Sequence, residues 1–280
     1  MLWHVKPSYG ISAMEYLLYL ATGLFTGLLS GLLGVGGGLI MVPVLGFIFA
    51  HLGFPAEFIM QMALGTSLAV IIVTSIASSR AHHSHQNVDW TIMKNIAFGI
   101  ILGAIFGSLV AAKFDTGLLK GFFTIYVFLV ALQILSDYAP NPARILPARA
   151  ALNCVGVAIG CVSSFVGIGG GTLSVPFLMV CNVPTKRAIG TSSAIGLPIA
   201  IAGALGYMVS GLHVVSLPNF SLGFIYLPAF IIIALASLIS APFGALLVQK
   251  LAVKKLKEIF AVLLIIIGLN MLYSLFQRLL

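Results

Sequence analysis

Residues 27–43 read GLLSGLLGVGGGLIMVP, and residues 160–176 read GCVSSFVGIGGGTLSVP. Laid over one another at an offset of 133, the two stretches agree at 8 of 17 positions, where composition alone predicts about one or two. Each carries an apolar run, a triple glycine, a short second apolar run and a proline. The agreement continues downstream. Residues 63–67 (ALGTS) match residues 188–192 (AIGTS), and residues 104–123 match residues 241–260 at 8 of 20 positions. The blocks keep their order and the offset changes only between them, so the chain reads as a duplicated unit. The boundary falls at the proline-rich stretch before Ala148. That predicts a first transmembrane repeat over residues 1–139, a linker over 140–147 and a second repeat over 148–280.

The rest of the composition says what kind of unit is duplicated. Of 280 residues, 60% are hydrophobic and 7% charged, with a mean hydropathy of +1.16; a soluble domain carries roughly a quarter charged residues. Too little polar material is present to cover a water-facing surface. Crossing the hydrocarbon takes about 20 apolar residues, and windows of that kind fall at 14–33, 58–77, 91–112, 118–135, 148–166, 188–209, 220–248 and 256–275. Two shorter pieces, 39–50 and 172–183, each follow a triple glycine. Backbone polar groups in lipid must be satisfied within the segment, and the alternating pattern of a membrane barrel is absent, so helices are expected. The fold class is therefore an all-α polytopic membrane protein. It is read as two homologous four-segment repeats with glycine-broken or re-entrant segments at the repeat interface.

The 14 Lys and Arg residues are scattered between apolar stretches, which argues against nucleic-acid binding and makes them topology signals. If every window crosses fully, they divide 8 to 6 between the two sides; if the glycine-broken regions are re-entrant, the repeats are inverted and the division is 10 to 4. The positive-inside rule favours the inverted arrangement, and both arrangements put the termini outside.

Consecutive glycines bare the backbone inside a membrane, at a cost of several kcal/mol per unsatisfied group unless protein, water or ligand takes over. Each triplet also precedes a short apolar piece whose N-terminal N–H groups would point at the break. Helix N-termini bind anions through free donors and a partial positive charge. The expected substrate-binding residues are Gly36, Gly37, Gly38, Gly169, Gly170 and Gly171, joined by the hydroxyls of Thr66, Ser67, Thr191 and Ser192, which supply hydrogen bonds while keeping release easy. Gly23 and Gly268, outside both motifs, are expected to tolerate replacement better.

Other features read as scaffold. Lys186-Arg187 reads as a cytoplasmic anchor that could also attract anions. His82, His83 and His85 read as a solvated loop rather than a metal site. All six acidic residues fall near segment ends, which removes support for coupling through a buried carboxylate. No catalytic constellation occurs, so neither an enzyme nor a cofactor is expected.

Residues 34–43 (GVGGGLIMVP) and 167–176 (GIGGGTLSVP), with residues 63–67 and the NVDW of 87–90, resemble the sulfite exporter TauE/SafE family over nearly the whole chain. The stretch 80–89, rich in histidine here, departs from the family's usual turn. The resemblance implies a multi-pass transporter of the bacterial inner membrane. Its partners would be the lipid bilayer and a small sulfur-containing anion such as sulfite, a sulfonate or thiosulfate; a homo-oligomer is compatible with it. Two alternatives stay open at this point: a small-anion channel, and a thiol-handling or assembly protein using Cys154, Cys161 and Cys181.

Overall fold

The computed structural model describes residues 13–34, 36–136, 146–250 and 253–279. They form ten helices: α1 (Ala13–Leu33), α2 (Gly38–His51), α3 (Ile59–Ser84), α4 (Trp90–Ala111), α5 (Thr116–Leu135), α6 (Arg149–Val166), α7 (Gly171–Val180), α8 (Thr185–Gly211), α9 (Leu227–Lys250) and α10 (Val253–Leu279). Eight are long and apolar enough to cross a membrane, while α2 and α7 are too short. The protein is an all-α polytopic membrane protein. Most of the expected linker lies outside the described residues.

The structure corrects two windows. The window 220–248 begins as a helix only at Leu227; before it, β1 (Ser221–Leu222) and β2 (Ile225–Tyr226) pair antiparallel. Phe220 and Gly223 sit at φ 64° and 58°, a left-handed backbone that no helix accepts. The third helix runs past the expected end at Ala77 to Ser84, so His82 and His83 belong to its last turn and His85 is its C-cap; His83 and His85 are exposed, and only His82 departs from the solvated reading. His82 is fully buried, with Nε2 donating to the Gly31 carbonyl at 2.9 Å, and His83 Nδ1 accepts from Trp90 Nε1 at 3.1 Å. Polar side chains at a helix end find partners across the bundle, which a hydropathy window cannot register.

The apolar surface is distributed as a membrane requires. In α3 and α8 the most apolar stretch is 78% and 83% buried, against 28% in α10, so α3 and α8 form the centre and α10 faces lipid. These central helices run antiparallel: Gly65 lies against Tyr207, Gly203 against Leu68, Gly196 against Ser75, and the Ser78 hydroxyl donates to Ser193 Oγ at 3.1 Å. Around them α1 packs along α9 and α4 along α6, with α5 against α10. The α1–α9 and α4–α6 seams are made by small residues every fourth position. Gly23, Gly27 and Gly31 meet the α9 backbone, and Gly99, Gly103 and Gly107 meet the α6 backbone, each with no room for a Cβ. Close backbone approach of this kind is how helices associate in lipid, where no hydrophobic gradient drives them together. The expected tolerance at Gly23 is therefore corrected: a Cβ there would come within 2.6 Å of both Ala236 Cβ and the Ile233 carbonyl.

The contacts also fix the course of the chain. α1 ends beside the C-terminal end of α3, where Ser78 Oγ lies 3.4 Å from the Ser30 carbonyl. The backbone then doubles back, since a Cβ on Gly37 would lie 2.7 Å from the Thr26 carbonyl, about three turns earlier in sequence. α2 continues to the opposite end, where Phe49 and Phe54 stack at 5.0 Å and meet Tyr226 edge-on. α8 starts at the end where α3 finishes, as the Arg187 to Asp89 ion pair at 3.1 Å requires.

Candidate functional site

The glycine breaks meet at the middle of the molecule. A Cβ on Gly36 would lie 3.1 Å from Gly169 Cα and 3.2 Å from Ile71 Cγ2, and Gly38 lies against the Gly167 carbonyl. Ile71 is halfway along α3, and Gly196, against the Gly169 carbonyl, is near the middle of α8. All of Gly36, Gly37, Gly38, Gly169, Gly170 and Gly171 are buried. The structure thus brings both expected triplets together, backbone against backbone.

Glycine is required there for its dihedrals. Gly34 and Gly167 stand at φ 68° and 70°, and Gly37 and Gly170 both at 76°, a region closed to side-chain-bearing residues at a cost of roughly 1–2 kcal/mol each. Gly37 and Gly170 are the N-caps of α2 and α7. Their carbonyls accept the first helical bonds, from Ile40 and Met41 in one case and Leu173 and Ser174 in the other. The first two N–H groups of each short helix are left as end donors.

The four expected hydroxyls are all buried; the two serines brace the glycine turns, and the structure does not bring the Thr66–Ser67 and Thr191–Ser192 pairs together, since they lie about 20 Å apart along the antiparallel α3 and α8. Ser67 Oγ donates to the Gly167 carbonyl at 2.9 Å, and Ser192 Oγ to the Gly34 carbonyl at 3.2 Å. Each serine thereby ties its own half to the glycine turn of the other. Thr66 Oγ1 accepts from the Tyr226 N–H and Thr191 Oγ1 from the Asp89 N–H, both at 2.9 Å. Tyr226 and Asp89 each stand immediately before a helix, α9 and α4. Each threonine keeps its own O–H proton to donate. Asp89 also caps α4 through the Thr91 and Ile92 N–H groups and pairs with Arg187.

Sequence reasoning missed a set of hydroxyls around the second turn. Tyr126 Oη and Thr172 Oγ1 lie 2.5 Å apart; Ser174 Oγ donates to the Gly170 carbonyl at 2.9 Å and lies 2.7 Å from Ser192 Oγ. A signal existed for two of them, since Thr172 and Ser174 stand where the first repeat block has Leu39 and Met41. Nothing in the sequence pointed to Tyr126 on α5. No disulfide joins the cysteines, which lie on α6 and at the end of α7, with Cys154 exposed, Cys161 half-buried and Cys181 buried.

In many transporters the substrate site lies where broken segments meet near the middle of the membrane. The profile described as Sulfite exporter TauE/SafE matches residues 19–271. The chain belongs to the sulfite exporter TauE/SafE family. Its relatives in this family include a probable membrane transporter protein of Haemophilus influenzae, 36% identical over 91% of this chain and 97% of that protein. A probable membrane transporter protein of Methanocaldococcus jannaschii is 30% identical over 91% and 94%, and one of Bacillus subtilis is 28% identical over 93% and 98%. No solved structure matches the chain. Family and relatives make this TauE/SafE member a membrane transporter.

Proposed function

We propose that the protein carries small sulfur-containing anions, such as sulfite, sulfonates or thiosulfate, outward across a bacterial inner membrane. The observation that carries this reading is the meeting of the two glycine turns, Gly36 to Gly38 and Gly169 to Gly171, between α3 and α8. An anion between the turns would be received by end donors of α2 and α7, and it would meet Thr66 and Ser67 on one side and Thr191 and Ser192 on the other in turn, since the antiparallel register sets the two pairs about 20 Å apart along the helices. Ser67 and Ser192 would exchange a carbonyl acceptor for an anion oxygen as the halves part, so opening and binding share the same bonds. Neutral donors hold an anion without trapping it. An inside-negative potential then drives export by about 2.3 kcal/mol per charge per 100 mV.

The reading includes an inverted pair of repeats, residues 1–139 and 148–280, that rock against one another about this contact. Reciprocity supports it: the Ser67 and Ser192 bonds, the Thr66 and Thr191 bonds, and the α1–α9 and α4–α6 seams each pair matched positions of the two halves. Arg80, Lys94, Arg149, Lys186 and Arg187 fall toward the end of the bundle marked by Asp89, and Lys113 and Lys120 toward the other. The Asp89 end is accordingly cytoplasmic and the termini periplasmic. The deciding experiment is efflux from proteoliposomes under an imposed potential, comparing sulfite, thiosulfate, sulfoacetate, sulfate and chloride. Saturable flux of the first three above chloride supports the reading; flux of chloride alone, without saturation, would replace it by a channel.

A further inference from the structure

We propose that the two glycine turns are unequal, and that the oxyanion subsite lies on the second, formed by the N-terminus of α7 and the hydroxyl of Ser163. This rests on the transport reading above and names the half of the site that grips the substrate. Ser163 is fully buried, and its Oγ has no hydrogen-bond partner. The oxygen lies 3.3 Å from where a side chain on Gly170 would begin, and Gly170 is the N-cap of α7. A buried hydroxyl without a partner is rare in a folded protein, and such groups mark places where water, an ion or a ligand belongs. Here it stands beside the one part of a ten-residue helix that offers free donors and positive potential, the N–H groups of Gly171 and Thr172.

The surroundings separate the two turns further. Beside the second lie Thr172, paired with the Tyr126 hydroxyl, and Ser174, paired with Ser192. At the matched positions of the first stand Leu39 and Met41, both buried and apolar. The matched serine, Ser30, has its carbonyl 3.4 Å from Ser78 Oγ on α3. The chemistry fits a small anion with two or three oxygens: one oxygen facing the α7 N–H groups, a second accepting from Ser163 Oγ. Ile199 Cδ1 packs against Gly170 in this closed arrangement, and its rotation or the parting of the halves would admit the anion.

The test uses the full chain in proteoliposomes with radiolabelled thiosulfate and sulfite as probes, comparing Ser163→Ala with Ser30→Ala. Ser163→Ala should raise the half-saturating concentration about three- to tenfold, the range set by one lost hydrogen bond, with maximal flux within about twofold of wild type. Its melting temperature in detergent should equal or exceed that of wild type, since an unpaired hydroxyl is removed; Ser30→Ala should leave the half-saturating concentration within about twofold. Equal shifts in the two variants, an unshifted Ser163→Ala, or a lowered melting temperature that accounts for its lost flux would each overturn the subsite while leaving transport standing. Wild-type liposomes that move neither probe would overturn the transport reading and the subsite with it.

Discussion

Gly37 and Gly170 stand at the same left-handed φ but meet different neighbours, and that difference predicts unequal mutants. A Cβ on Gly37 meets the Thr26 backbone, which cannot yield, whereas one on Gly170 meets the far end of the Ile199 side chain. Gly37→Ala should therefore lower the melting temperature in detergent more than Gly170→Ala, with each carrying in addition about 1–2 kcal/mol of backbone strain. At Gly46 and Gly121 nothing lies within 4 Å of the place a methyl group would occupy, and Gly→Ala there should be neutral or stabilising by up to about 1 kcal/mol. Leu at Gly37 or Gly170 should abolish flux; normal flux in either would make the turns packing devices. At Thr191, Ala removes the acceptor of the Asp89 N–H. That should cost about 0.5–1.5 kcal/mol of stability, restored by Ser.

Among elements, the seams at α1–α9 and α4–α6 are the part least able to absorb change. Gly103 on α4 lies against the Val157 carbonyl and Gly27 on α1 against Ser237, with backbone on the facing side in both cases. Leu at either position forces two helices apart. Overpacking costs of about 1–3 kcal/mol are usual where side chains can adjust, and more is expected where they cannot. Size-exclusion chromatography should show Gly27→Leu and Gly103→Leu aggregated or absent, and Gly121→Leu monodisperse. A monodisperse, active Gly103→Leu would mean that the seam is looser than its geometry.

For the whole molecule the predictions concern sidedness and energy coupling. A periplasm-active reporter fused after α10 should be active, because α1 starts and α10 finishes at the end opposite Asp89; activity of a cytoplasmic reporter alone would reverse the orientation. Single cysteines beside Asp89 and Arg187 should then react with a membrane-impermeant reagent only from the cytoplasmic face. Glu15 is buried in the first turn of α1, a level far from the glycine turns. Glu15→Gln should keep substantial flux, and its loss in a folded, inserted protein would favour proton coupling over potential-driven export.

Membrane class, ten helical pieces and the place of both breaks are legible in the sequence, because apolar length and triple glycines act locally and lipid permits few alternatives. The expected site glycines can be named for the same reason: a left-handed turn inside an apolar run leaves glycine as the residue that fits. What touches what is decided only by the tertiary structure. Ser67 reaches Gly167 across 100 residues and Ser192 reaches Gly34 across 158, pairings with no trace in any window. His82 reads as loop in the sequence because its partner, the Gly31 carbonyl, belongs to another helix. Gly23 reads as spare because the backbone pressed against it comes from α9. Local chemistry sets where a helix must break, whereas the partner of a buried hydroxyl, histidine or glycine depends on which helices the packing brings within reach.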